Sequence, residues 1–150
     1  MRQPTKLLSI SAGHDAIACA FVLGRQPMDW QMSFTSTQTV EQLSGKITQW
    51  LDYYQPDRVL LPTYPADSHK GQQIRILIAS AEQTAREAKI PLSHVSLQHD
   101  FANKYKQIEY LTERYHQLQP ITVPNRKYYE KENTRITYFE AVGMVEGFYA

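Results

Sequence analysis

One cysteine in a chain of 150 residues, Cys19, has no internal disulfide partner. That excludes a disulfide-stapled scaffold and fits a reducing compartment. Cys19 sits in the apolar run from Ala16 to Leu23 and reads as a buried structural thiol. Apolar runs of the roughly 20 residues that a membrane helix needs are also missing. The opening Met1-Arg2-Gln3-Pro4-Thr5-Lys6 leads directly into Leu7-Leu8-Ser9-Ile10, a short stretch that reads as a strand and not as a secretory signal. A cytoplasmic, membrane-free protein is the expectation. An excess of one charge is absent too: 16 Lys and Arg face 15 Asp and Glu, for a formal net charge of +1. No global field draws the protein onto nucleic acid, so any such binding has to come from a local patch.

Several catalytic signatures are missing as well. No His or Cys spacing matches a zinc site. Gly45-Lys46 lacks the upstream glycine of a phosphate loop and lies inside a helical pattern. Ser9, Ser11 and Ser68 have no nucleophile-elbow context. There is no repeat, low-complexity tract or linker, and the length suits a single domain over residues 1–150 with one real core.

What is present is a regular alternation of short elements. Residues 6–11 and 16–23 read as strands joined by the turn Ala12-Gly13-His14-Asp15. Gly24 to Pro27 makes a second turn, and Trp30 to Thr35 a third strand, which implies an antiparallel meander. Thr39 and Gln42 resemble a capping box ahead of a helix whose apolar stripe is Val40, Leu43, Ile47, Leu51 and Tyr54. Pro56 ends it. Arg58 to Leu61 is a short, continuously apolar strand, and a loop with Pro62, Pro65 and Gly71 follows. A second helix carries Ile74, Leu77, Ile78, Ala81, Ala85 and Ala88, with alanines that suit close packing on a sheet. After Pro91, Leu92 to Leu97 reads as a fifth strand. A third helix is expected from about Asp100 to Leu118, with Phe101, Tyr105, Ile108, Leu111, Tyr115 and Leu118 as its stripe. Pro120 to Asn133 is irregular, and a last helix capped by Asn133 or Thr134 runs to near the C-terminus.

The order βββ-α-β-α-β-α-α is that of a ribonuclease H-like α/β fold: a mixed five-stranded sheet, three antiparallel strands and then helix-linked strands, flanked by helices. Within it, Leu8-Ser9-Ile10-Ser11-Ala12-Gly13-His14 resembles the opening of RuvC-type junction endonucleases, where an apolar strand ends in Asp-Pro-Gly. Ser11 stands at the Asp position and Ala12 at the Pro position. Val59-Leu60-Leu61-Pro62 resembles the strand bearing the family's second acid, a Glu, with Pro62 as the nearest match. Gly71-Gln72-Gln73 resembles the family's Gly-Gln-containing helix start. Thr137-Tyr138-Phe139-Glu140-Ala141 resembles the last helix with its paired Asp residues, of which only Glu140 is acidic and Thr137 replaces the other.

The resemblance implies nucleic-acid handling and, for an active member, magnesium. Two-metal cleavage needs several carboxylates converging on ions about 4 Å apart, and Ser11, Pro62 and Thr137 do not supply them. No metal ligand set and no cofactor is therefore expected. An active magnesium-dependent endodeoxyribonuclease, a junction resolvase, would have to combine Glu140 with displaced acids, Asp15 after the first strand and Asp67 after the fourth. Both also suit turns, which is the simpler role; His14 and His69 beside them make no metal-binding pattern.

The most suggestive surface feature lies in the last third, where Lys104, Lys106, Arg114, Arg126, Lys127, Tyr128, Tyr129, Lys131 and Arg135 gather. Arg126, Lys127, Tyr128, Lys131 and Arg135 form the candidate nucleic-acid contact, cations for phosphates and an aromatic for stacking. Glu109, Glu113, Glu130 and Glu132 interleave with them, as on an ordinary solvated face. Ten tyrosines fit either stacking or semi-buried packing. The leading expectation is a pseudo-nuclease of DNA recombination type. It would bind structured or branched DNA or serve as a subunit of a nucleic-acid-handling assembly. A homodimer and a purely protein-binding module on the same scaffold remain open.

Overall fold

The structure is a computed structural model, and it describes residues 4–13, 16–34, 39–63, 72–96, 110–115, 118 and 135–149. Strands β1 (Lys6–Gly13), β2 (Ala16–Leu23) and β3 (Gln26–Ser33) are followed by helix α1 (Val40–Tyr54), strand β4 (Arg58–Thr63), helix α2 (Gln72–Glu87), strand β5 (Leu92–Ser96) and helix α3 (Arg135–Tyr149). The sheet order is β3-β2-β1-β4-β5. β1 pairs antiparallel with β2, β2 antiparallel with β3, and β4 parallel with both β1 and β5. This is the ribonuclease H-like arrangement that the element order implies.

Alternation along each strand sends successive side chains to opposite faces. Leu7, Ala18, Ala20, Val22, Leu60 and Val95 face α3, where Tyr138, Phe139, Ala141, Val142, Met144 and Val145 complete one core layer. Leu8, Ile10, Ala12, Ile17, Cys19, Val59 and Leu61 face α1 and α2, meeting Leu43, Ile47, Trp50, Leu77, Ala81 and Ala85. Both faces of β1 and β4 are thus buried, which is why Val59-Leu60-Leu61 of β4 reads as a continuous apolar run. Ala81 and Ala85 are fully buried, as close helix–sheet packing requires. Residues 110–114 are helical, and Leu111, Tyr115 and Leu118 join the α3 layer. Phe101, Tyr105, Ile108, Asn133 and Thr134 lie outside the described residues.

Local signals act as expected at both ends of α1. The Thr39 hydroxyl accepts from the Gln42 backbone N–H at 3.1 Å. At the other end Gln55 adopts a left-handed conformation (φ 47°) and its N–H reaches Leu51 O at 2.9 Å, just ahead of Pro56.

Several boundaries differ from the expectation. β1 continues through Ala12 and Gly13, which pair with Ile17 and Ala16, so the connection to β2 is shorter than a four-residue turn. β3 begins at Gln26, not Trp30. An irregularity opposite Phe21 and Val22 takes up Met28 as an extra residue and accommodates Pro27 next to it. β4 runs through Pro62 to Thr63. The ladder to β1 ends at Leu60, so Pro62 is paired on one side only, with Val95, and its missing donor costs little there.

Candidate functional site at the carboxyl end of the central strands

Ser9, Ser11 and Gly13 occupy alternate positions of β1 on the α3 side of the sheet. The Ser9 hydroxyl donates to Ala141 O at 2.6 Å and the Ser11 hydroxyl to Glu140 Oε2 at 3.1 Å. Gly13 lies against Thr137: a Cβ added at Gly13 would fall well inside van der Waals contact with Thr137 Oγ1. Small residues at i, i+2 and i+4 of the strand let α3 approach closely, and hydroxyls satisfy its polar groups. Thr137 and Glu140, three apart, share one helix face. Ser9 and Ser11 are fully buried, Thr137 is 7% exposed, and Glu140 is half-buried.

On β4, Pro62 shares the face of Leu60 and is buried beside Val95. The β1–β4 register pairs Ser9 with Leu60, and two residues further along each strand stand Ser11 and Pro62. The four positions that the resemblance picked out, Ser11, Pro62, Thr137 and Glu140, therefore occupy one face at one end of the central strands. Glu140 is the only acid among the four. Magnesium requires near-octahedral oxygen ligation dominated by carboxylates and waters. Two buried hydroxyls, one carboxylate and a proline do not make that donor set. Among the described residues, no group of three or more His, Cys, Asp or Glu side chains converges in a metal-binding arrangement.

Asp15, Asp67, His14 and His69 lie outside the described residues, as do Arg126, Lys127, Tyr128, Tyr129 and Lys131. Arg135 is described only as the first backbone position of α3. The contacts of Ser9 and Gly13 are not apparent from acid-by-acid matching, which looks only for carboxylates. The run of small residues on one face of an otherwise apolar strand is the signal that marks them.

Flanking interactions hold α3 in place. Glu146 accepts the Tyr115 hydroxyl and pairs with Arg114 Nε at 3.0 Å. Burial pushes the Tyr115 phenol pKa up, and the Glu146 carboxylate adds to it. Tyr149 donates its hydroxyl to Gly24 O at 2.6 Å, and Arg25 stacks over its ring at 4.5 Å from the centroid. On the opposite face, Tyr54 donates to Asp29 Oδ2 at 2.7 Å and accepts from Gln31, which in turn accepts from Trp50 Nε1 at 3.1 Å. Cys19 is buried, as its sequence context suggests, and burial pushes its thiol pKa up to about 12.

No protein-family model matches the sequence, and no curated protein matches it. Solved structures do. RuvC from Thermus thermophilus has a TM-score of 0.65 at 13% identity, covering 96% of this chain and 94% of that one. The fold is that of RuvC. The T. thermophilus RuvC complex with a Holliday junction substrate gives a TM-score of 0.59 at 12% identity, over 97% of this chain and 94% of that one. A fowlpox virus resolvase in complex with its substrate Holliday junction DNA gives 0.61 at 13% identity, over 97% and 99%. At these identities the likeness is one of fold. Within the RuvC fold, the carboxyl end of β1 and the facing turn of α3 are where Ser11 and Glu140 meet.

Proposed function

We propose that this RuvC-fold domain binds structured or branched DNA without cleaving it, alone or as a subunit of a nucleic-acid-handling assembly. The observation that carries the reading is the Ser11–Glu140 hydrogen bond. At a position where the RuvC-type pattern has an acid, this chain has a donor. The serine proton occupies a carboxylate lone pair that a metal would use. Thr137 packs against Gly13 at the neighbouring position, and Pro62 has no ligating side-chain atom. The structures similar in fold include two complexes with Holliday junction DNA, which makes a four-way junction the first probe to try. The phosphate contacts are assigned to the basic segment Arg126, Lys127, Tyr128, Lys131 and Arg135, because a near-neutral chain needs a local patch. A cytoplasmic location accords with the single unpaired cysteine.

The test pairs binding with turnover. Fluorescence anisotropy is measured on four-way junction, duplex and single-stranded probes, and cleavage of the same junction is followed in magnesium and in manganese. Preferential junction binding with no cleavage supports the proposal. Robust cleavage that disappears in Glu140→Ala or Asp15→Ala replaces it with an active nuclease using displaced carboxylates. Absence of binding to every probe leaves a protein-interaction module as the better account.

A further inference from the structure

A second feature lies on the other face of the sheet, at its opposite end. α2 finishes at Glu87, and Lys89 adopts a left-handed conformation (φ 61°) that turns the chain away. The Ile90 N–H closes the turn on Ala85 O at 3.1 Å. Between this turn and the start of β5 lies an open depression of about 490 Å³, lined by Arg86, Lys89, Ile90, Pro91, Leu92 and His94. Leu92 pairs with Val59, at the amino-terminal end of the parallel strands, so the depression is separate from Ser11 and Glu140.

Its chemistry is cationic over an apolar floor. Glu82 receives Arg86 at 2.9 Å and His94 Nε2 at 3.0 Å, so one carboxylate bridges two of the lining side chains. Among the described residues Glu82 is the acid that pairs with the lining. Lys89 has no ion-pair partner among those residues. With two cations, Arg86 and Lys89, against the one carboxylate of Glu82, the described side chains at the rim carry a net positive charge. The Arg86 guanidinium retains donors beyond the one facing Glu82. Ile90 and Leu92 are half-buried and extend the apolar floor into the α2-side core.

We infer that this depression binds a nucleoside 5′-phosphate, either as a free nucleotide or as the phosphorylated end of a strand. Lys89 and Arg86 receive the phosphate, and Ile90, Pro91 and Leu92 lie against the flat face of the base. The chemistry needs both parts: two cations for a dianionic phosphate, and an apolar floor for the face of the ring. The site does not depend on the function proposed for Ser11 and Glu140.

The experiment is a titration of the full chain by NMR, following the His94 ring and the Ile90 methyl groups. The probes are adenosine 5′-monophosphate, adenosine, inorganic phosphate, and a short oligonucleotide with a 5′-phosphate or a 5′-hydroxyl. Adenosine 5′-monophosphate or the phosphorylated strand end should shift both signals, and which of the two binds more tightly identifies the source. Adenosine and the 5′-hydroxyl strand should bind at least fivefold more weakly. Lys89→Gln, at an exposed position, should weaken binding about five- to tenfold while leaving the fold intact. No shift at millimolar probe overturns the inference. So does binding that Lys89→Gln and Arg86→Gln leave unchanged, or inorganic phosphate binding as tightly as the nucleotide.

Discussion

Ser11 on β1 donates its hydroxyl to Glu140 on α3 at 3.1 Å, joining residues 129 apart in sequence. The partly buried carboxylate is thereby held by a neutral donor, where a metal site would hold it with a cation. Ser11→Ala is expected to cost about 1 kcal/mol, the usual net value of such a bond. Ser11→Asp should cost more, because two carboxylates within hydrogen-bonding distance repel. Millimolar manganese should recover part of that loss in Ser11→Asp and leave the wild-type midpoint unchanged. A wild-type chain stabilised by manganese at sub-millimolar concentration would show that Glu140 already serves a metal.

Gly13 and Thr137 give a sharper test of how closely α3 approaches the sheet. A Cβ at Gly13 meets Thr137 Oγ1, whereas Thr137 Cβ stands 3.5 Å away, ordinary contact. Gly13→Ala should therefore destabilise by about 1–3 kcal/mol. Thr137→Ala in the same chain should return most of that. The cycle is read from urea midpoints of the two single variants and the double. Additive losses would mean that the two positions do not touch.

Alkaline pH should weaken the fold. Burial raises the Cys19 thiol pKa from 9.0 to about 12, and it also raises the phenols of Tyr54 and Tyr138. For such acids the folded state holds the proton more tightly, so their stabilising contribution is present below the unfolded pKa. It is lost as pH rises through the folded one. The decline begins near pH 9, where the unfolded thiol ionises, at about 1.4 kcal/mol per pH unit for each group. Thermal midpoints from pH 8 to 11 check this, and Cys19→Ala should flatten the first part of the slope. In the native state at pH 8, Cys19 should react negligibly with a thiol reagent.

The basic segment makes the fourth prediction. Arg126→Ala with Lys127→Ala should weaken DNA binding similarly across sequences and reduce the salt slope by roughly one to two units. The measurement is anisotropy at several salt concentrations. Unchanged affinity and slope would remove these residues from the DNA-binding surface and leave them as partners of Glu130 and Glu132.

Much of the fold is legible because its signals are local. Thr39, Pro56 and the stripe of Leu43, Ile47 and Leu51 mark α1 without reference to anything distant, and two short apolar stretches on either side of a turn at Gly13 mark the β1–β2 hairpin. Pro62 shows where local reading stops. Proline breaks a strand by rule, yet here the neighbouring ladder has already ended and one-sided pairing tolerates it. The start of β3 is hidden in the same way, by a bulge whose partner is β2. The meeting of Ser11 with Glu140 follows once the fold is assumed. The Ser9 bond to a backbone carbonyl and the fit of Gly13 to Thr137 do not, because they depend on how near α3 sits, which carboxylate patterns do not report.

The placement of α3 also sets an order of events during synthesis. Among the described residues, Leu8 to Ala85 contain every buried member of the core layer that packs against α1 and α2. That half can close while the rest of the chain is still being made, as amino-terminal portions tend to do. The other half of the sheet has no such option. Leu7, Ala18, Ala20 and Val22 wait for Tyr138, Phe139, Val142, Met144 and Val145, which are translated more than 100 residues later. Throughout that interval this side of β1 and β2 lacks the helix that buries it, leaving apolar surface on the nascent chain for a holding chaperone to shield. A ribosome that stalls before residue 135 leaves the sheet without α3 and more prone to aggregate.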